Sequence, residues 1–208
     1  MKAWFTSPKK SLTAICTIAW LSIFLCSRAT IIYQQGYRLN TGHSYPPGIY
    51  QLSNVSPSLA NFIKGDLVLF CPPSVLVVKI ALSRGYLDSG RCKSGSVPII
   101  KRIAALEHDN ITLDNLITIN GRTLPDTTIL SSDLKLRPLQ AYTYQNMTHF
   151  TMPPDTVFLY SEHAPKMSFD SRYFGFVALK NIQGSIHPVW VYNKSILNKI
   201  LNGDTLSL

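Results

Sequence analysis

From Ser11 to Ser27 the chain carries no charge, and Leu12, Ile15, Ile18, Trp20, Leu21, Ile23, Phe24 and Leu25 make this its one strongly apolar run. Lys2, Lys9 and Lys10 precede it. The pattern predicts a membrane-inserting helix over 11–27 behind a basic cytoplasmic segment, residues 1–10. The run is at the short end of what spans a bilayer, and Ser27-Arg28-Ala29 fits a small-x-small cleavage site, so a removed signal peptide is a second reading and a buried soluble helix a third. The first two readings place residues 28–208 on the non-cytoplasmic side, because the lysines gather before the run.

Beyond residue 28 the periodicity changes to short alternating segments. Ala29 to Gln35 reads as a lead-in, Tyr37 to Leu39 as a brief strand, and Gly48 to Leu52 as the next. Between them lies Asn40-Thr41-Gly42-His43-Ser44-Tyr45-Pro46-Pro47, whose adjacent prolines remove two amide donors and force loop or edge rather than interior sheet. Lys64-Gly65-Asp66 turns into a strand at Leu67 to Phe70. Ser74 to Arg84 is predicted as a helix, with Ser74 as N-cap and Gly85 beyond its C-terminus.

Val97 to Leu106 is a strand in which Lys101 shares a face with Ile99, Ile103 and Ala105. Ile111 to Leu113 and Ile117 to Ile119 form a hairpin, followed by the Asn120-Gly121 turn signal. Residues 123–154 alternate poorly and are expected as an irregular excursion. Val157 to Tyr160, Tyr173 to Leu179 and Ser185 to Tyr192 complete the strands. The expected fold is mainly β, many-stranded and antiparallel, with one or two short helices, behind a single N-terminal transmembrane helix.

At 208 residues, 46% of them hydrophobic and 15% charged, the chain supports one core. The formal net charge of +9 is scattered after the anchor and accompanies no nucleic-acid module, which argues against nucleic acid and for a domain facing anionic lipid. Cys16 and Cys26 lie in the apolar run as small hydrophobes. Cys71 and Cys92, with no CxxC motif and no clustered histidines, point to a disulfide rather than a metal site, with two unpaired thiols as the alternative. No cofactor is expected.

Lys101 is the residue that asks for chemistry. A lysine among apolar neighbours loses hydration of its ammonium form, its pKa falls, and the neutral amine becomes a base that a serine hydroxyl can use. The plain alternative is a strand-end lysine that snorkels to water. Ser44, beside two prolines, is equally read as a turn residue. His43 and His108 are taken as non-catalytic.

Four segments in order change that balance: Asn40 to Tyr50, Lys64 to Cys71, Lys101-Arg102-Ile103-Ala104, and Ser168-Phe169-Asp170-Ser171-Arg172-Tyr173-Phe174-Gly175. Together they resemble the nucleophile, strand, general-base and C-terminal boxes of the type I signal peptidase family. The resemblance is strongest to its conjugative-transfer branch, the TraF-type pilin-processing peptidases, and Arg84-Gly85-Tyr86-Leu87 also looks like that branch. The resemblance implies a serine peptidase of the bacterial inner membrane, anchored once, with a cytoplasmic N-terminus and a periplasmic catalytic domain. Ser44 would be the nucleophile and Lys101 the general base. Ser168 would orient the amine, and Asp170 and Arg172 would form a supporting ion pair.

The oxyanion donors would be the Ser44 amide and a second group. The family commonly has a hydroxyl residue where this chain has Gly42, leaving Gly42 and Thr41 as candidates. Glu107-His108-Asp109 is a further departure, where the family tends to have Gly-Asp. The substrate would be an exported precursor polypeptide, most plainly a pilin precursor of a conjugation or secretion machinery, released in linear or cyclic form. A general signal peptidase and a silent scaffold of such a machinery are the alternatives.

Overall fold

The computed structural model describes residues 8–42, 44–53 and 62–192. The N-terminal helix α1 spans Pro8–Gln34, and its stretch Thr13–Gln34 is long and apolar enough to cross a membrane. At 1.5 Å per residue that stretch is about 33 Å long, enough for the hydrocarbon core. The helix thus absorbs the segment expected as a lead-in. Ile31, Ile32 and Tyr33 continue the apolar character, and no breaker occurs before Gly36, where φ reaches +89°.

Eleven strands follow among the described residues: β1 (Tyr37–Asn40), β2 (Gly48–Leu52), β3 (Leu67–Phe70), β4 (Ile99–Ala105), β5 (Asn110–Leu113), β6 (Ile117–Ile119), β7 (Arg122–Thr123), β8 (His149–Thr151), β9 (Thr156–Tyr160), β10 (Val177–Ala178) and β11 (Ile182–Val191). The larger sheet runs β1-β2-β11-β3-β4-β9-β10 and the smaller β7-β6-β5-β8, with every pairing antiparallel. The ten-residue β11 joins the two parts of the large sheet, pairing with β3 through its first half and with β2 through its second.

Three apolar clusters hold these layers. The first packs Val68, Phe70, Ile103, Val157 and Leu159 against Val78 and Ala81 of helix α2 (Leu76–Ser83) and against Tyr173 and Phe174. The second joins the small sheet to the large through Ile111, Ile117, Phe150, Ala105, Phe158 and Tyr160. The third, on the other face of β3 and β4, holds Tyr45, Tyr50, Leu69, Ile100 and Ile186. β9 is buried at all five positions because its odd and even side chains feed different clusters.

Four expectations need correction. Helix α2 starts at Leu76, with Val75 in the capping position and no side-chain cap, so Ser74 does not cap it. Its end follows the expectation: Gly85 at φ +74° directs its N–H to Leu82 O, and Tyr86 N–H bonds Ala81 O. Residues Tyr173 and Phe174, expected in a strand, belong to the short helix α3 (Ser171–Phe174), because the Asp170 side chain caps it and overrides the β preference of the aromatics. Ala105 leaves the face of Lys101, since a register shift between Ile103 and Ala105 turns it into the second cluster. Within the irregular stretch, His149–Thr151 pairs with β5 and Phe150 and Met152 are core residues, so this segment is part of the same fold.

Candidate active site

Lys101 lies in the middle of β4, opposite Val68 of β3, and is 1% exposed. Its amine makes no hydrogen bond or ion pair among the described residues. Burial pulls the ammonium pKa down to about 8; Asp170 raises it and Arg172 lowers it, both with smaller effect. A substantial fraction of the amine is therefore unprotonated and basic in weakly alkaline solution.

Ser44 sits half-buried in the loop between β1 and β2, and that loop is organised by Asn40. The Asn40 amide donates to Tyr45 O at 3.1 Å and Pro46 O at 3.0 Å, while its Oδ1 accepts the Gly42 N–H at 3.1 Å. On the other side, Ser161 Oγ donates to Ser44 O at 2.6 Å. The neighbouring Tyr45 ring is buried in the third cluster and stacks on His163. Gly48 ends the loop because a Cβ there would lie 2.2 Å from Trp190 O. Side-chain and packing anchors on both flanks thus fix the Ser44 backbone.

Of the three oxyanion candidates, Gly42 has its N–H engaged by Asn40. The Ser44 N–H donates to nothing among the described residues, and Thr41, three positions before it, is exposed. His43 falls outside the described residues. His108, in a left-handed conformation at φ +67°, belongs to the exposed turn after β4.

The segment after β9 supplies the remaining predicted residues. Asp170 and Arg172 are both fully buried, with Arg172 Nε 2.8 Å and Nη2 3.0 Å from the carboxylate. The same guanidinium donates to Thr128 O, Pro165 O and Ser168 O and lies over the Tyr160 and Tyr173 rings. Ser168 is buried, and its hydroxyl has no hydrogen-bond partner. A buried hydroxyl left unpaired is costly, so this one is a group waiting for a partner.

Ser44, Lys101 and Ser168 line one cleft of about 1610 Å³, together with Thr41, Gly42 and the two cysteines. No hydrogen bond joins the three side chains to one another in this structure. Bonds among such groups commonly close only with substrate bound. A serine hydroxyl, a buried amine of lowered pKa and an unpaired second hydroxyl along one cleft are the kinds of group that acyl transfer through a serine ester uses. Among the described residues, no group of three histidine, cysteine or carboxylate side chains is placed to hold a metal ion.

Cys71 and Cys92 are joined in a disulfide across 21 positions, closing the loop that carries α2 and one wall of the cleft. Replacing both by serine should lower stability by about 3 kcal/mol in the chain-entropy model. Thermal unfolding of the variant, beside wild type with and without reductant, checks this; unchanged unfolding temperatures would exclude such a contribution.

Asn40 and Ser161 were not legible as site residues. Asn40 stands two positions before Gly42, at the start of a glycine- and proline-bearing loop where Asn is commonplace. Ser161 meets Ser44 across 117 positions, a contact that only the fold creates.

A family model described as signal peptidase, peptidase S26, matches residues 8–191. A conjugal transfer protein TraF from Agrobacterium tumefaciens (strain 15955) is 31% identical over 180 residues, 86% of this chain and 97% of the relative. A plasmid transfer protein TraF from Escherichia coli is 35% identical over 158 residues, 76% of this chain and 84% of the relative. A probable conjugal transfer protein TraF from Sinorhizobium fredii (strain NBRC 101917 / NGR234) is 32% identical, covering 76% of this chain and 78% of the relative.

Proposed function

The chain belongs to the signal peptidase family S26, a family of serine peptidases, and on that footing we propose that it is a membrane-anchored serine/lysine endopeptidase that matures a pilin precursor for conjugal transfer. The observation that carries this reading is a fully buried, unpaired Lys101 lining the same cleft as Ser44. The TraF relatives supply the conjugal context, and α1 supplies the anchor. With the basic segment on the cytoplasmic side, the sheets and their cleft lie in the periplasm, close to the membrane from which an exported precursor emerges.

In this mechanism the neutral Lys101 amine removes the Ser44 hydroxyl proton as Oγ attacks the scissile carbonyl. The Ser44 N–H, with the Thr41 hydroxyl as second donor, receives the oxyanion. Ser168 Oγ hydrogen-bonds the amine and aims it. As the intermediate collapses, the lysine ammonium returns its proton to the leaving amine, leaving an ester on Ser44. Water then releases a linear product, or the precursor's own amino group releases a cyclic one.

Co-expression with the pilin precursor of the same transfer system, followed by intact-mass measurement, tests the proposal. A shortened product is expected, and a product lighter by one further water would identify cyclisation. A precursor whose mass is unchanged by folded, membrane-inserted protein would refute the assignment.

A further inference from the structure

The cleft that holds Ser44 and Lys101 is lined by seven basic side chains and two carboxylates. Several of these charges are already spent. Arg38 lies over the Tyr33 ring and donates to backbone carbonyls. Arg84 donates to Pro138 O, and Arg137 is ion-paired with Asp133 at 2.6 Å. Apart from the buried Lys101, this leaves Arg91, Lys135 and Lys166, all exposed and with no hydrogen bond or ion pair from their side chains among the described residues. The only carboxylate of the cleft not held by a basic partner is that of Asp88.

These three cations come from separate walls, and each wall is braced. Arg91 adjoins Cys92, whose disulfide to Cys71 ties its loop to the end of β3. Lys135 rides on a tight turn in which the Asp133 carboxylate accepts the N–H groups of Lys135 and Arg137 as well as Arg137 Nε. Lys166 belongs to the 3-10 turn Pro165–Met167, whose Pro165 carbonyl is held by the buried Arg172. Positive charges mounted on fixed backbone around a concave surface focus a potential that attracts anionic segments.

We propose that the cleft selects precursor chains bearing carboxylates near the bond to be cut, with Arg91, Lys135 and Lys166 as the specificity-determining residues. This deepens the reading of the cleft as a peptidase site and depends on it. The exposed Leu134 and Met167 beside Lys135 and Lys166 give the same walls apolar surface for the intervening side chains of an extended chain. An acidic chain is favoured over lipid as the anionic partner because the cations line a cleft together with Ser44 rather than one outer face.

The test is a binding measurement on full-length protein in neutral detergent micelles, with Ser44→Ala to prevent turnover. Three alanine- and glycine-based peptides, alike except for paired glutamates, glutamines or lysines, are titrated by fluorescence anisotropy. The glutamate peptide is expected to bind about tenfold more tightly than the glutamine peptide, a gap that shrinks with salt. The triple variant Arg91→Gln, Lys135→Gln, Lys166→Gln should lose that gap while binding the glutamine peptide as before. Equal binding of the glutamate and glutamine peptides, no measurable binding of either, or a gap that survives the triple substitution overturns the proposal. So does a triple variant that keeps the gap but loses flotation with vesicles containing phosphatidylglycerol, which assigns the cations to lipid. Failure of the peptidase reading shows separately, as wild-type protein that leaves the pilin precursor uncut.

Discussion

Replacing Lys101 with methionine should abolish precursor cleavage and, in the same protein, raise the unfolding temperature at neutral pH. The two effects have one cause. Lys101 is 1% exposed, and its amine has no hydrogen bond or ion pair among the described residues, so its charged form is disfavoured by burial. A side chain chosen for packing would not carry this liability. Loss of the base should reduce the cleavage rate at least ~10³-fold, and Ser44→Ala should match it because the two groups act as a unit.

The sign of the stability effect follows from the direction of the shift. The unfolded amine titrates near 10.5 and the folded one near 8, so between those values the unfolded chain binds more protons and stability rises with pH. Below about pH 8 the native state carries the full penalty of a buried ammonium, on the order of 3 kcal/mol for a depression of this size. Lys101→Met removes it, so the variant's advantage should be largest at pH 7 and below and should vanish towards pH 10. Cleavage by wild type should rise with pH through a midpoint near 8, as the neutral base forms. A Lys101→Met variant less stable than wild type at pH 6 would contradict the buried-amine argument, and wild-type cleavage that stays flat with pH would contradict the role of base.

Most strands were readable from alternation because one face of each is solvated or meets a different cluster. The short helix α3 was not, since Tyr173 and Phe174 favour strands and the cap at Asp170 depends on Arg172 folding back over it. The exposure of Ser44 followed from Pro46 and Pro47, but the anchors of its backbone did not: the bond from Ser161 and the contacts of Tyr45 join segments far apart in sequence. Lys101 was conspicuous as a charge in an apolar strand, whereas the lack of a partner for its amine is a property of the packed surroundings. The resemblance to a known family carried the pairing of Ser44 with Lys101, which no local pattern of residues contains. The uncharged run ends at Arg28 and so marks only part of α1, although a single arginine in a helix, here over the Phe24 ring, does not stop it.

Replacing Arg172 with methionine should destabilise the protein by ~3–5 kcal/mol, because it leaves the fully buried Asp170 carboxylate without its counter-charge. The guanidinium also ties Thr128, Pro165 and Ser168 through their carbonyls, so the loss should loosen the segment that places Ser168 in the cleft. The paired substitution Asp170→Leu, Arg172→Met should cost less than the sum of the single changes, since neither leaves an isolated buried charge once both are gone. Activity separates this from a purely structural role. Asp170 raises the Lys101 pKa, so Asp170→Asn, where it folds, should move the midpoint of the cleavage profile to lower pH while Arg172 remains to press in the same direction. Denaturant unfolding of the single and double variants, with pH profiles of whichever variants fold, measures both effects; additive losses and an unmoved midpoint would show that the pair neither couples nor reaches Lys101.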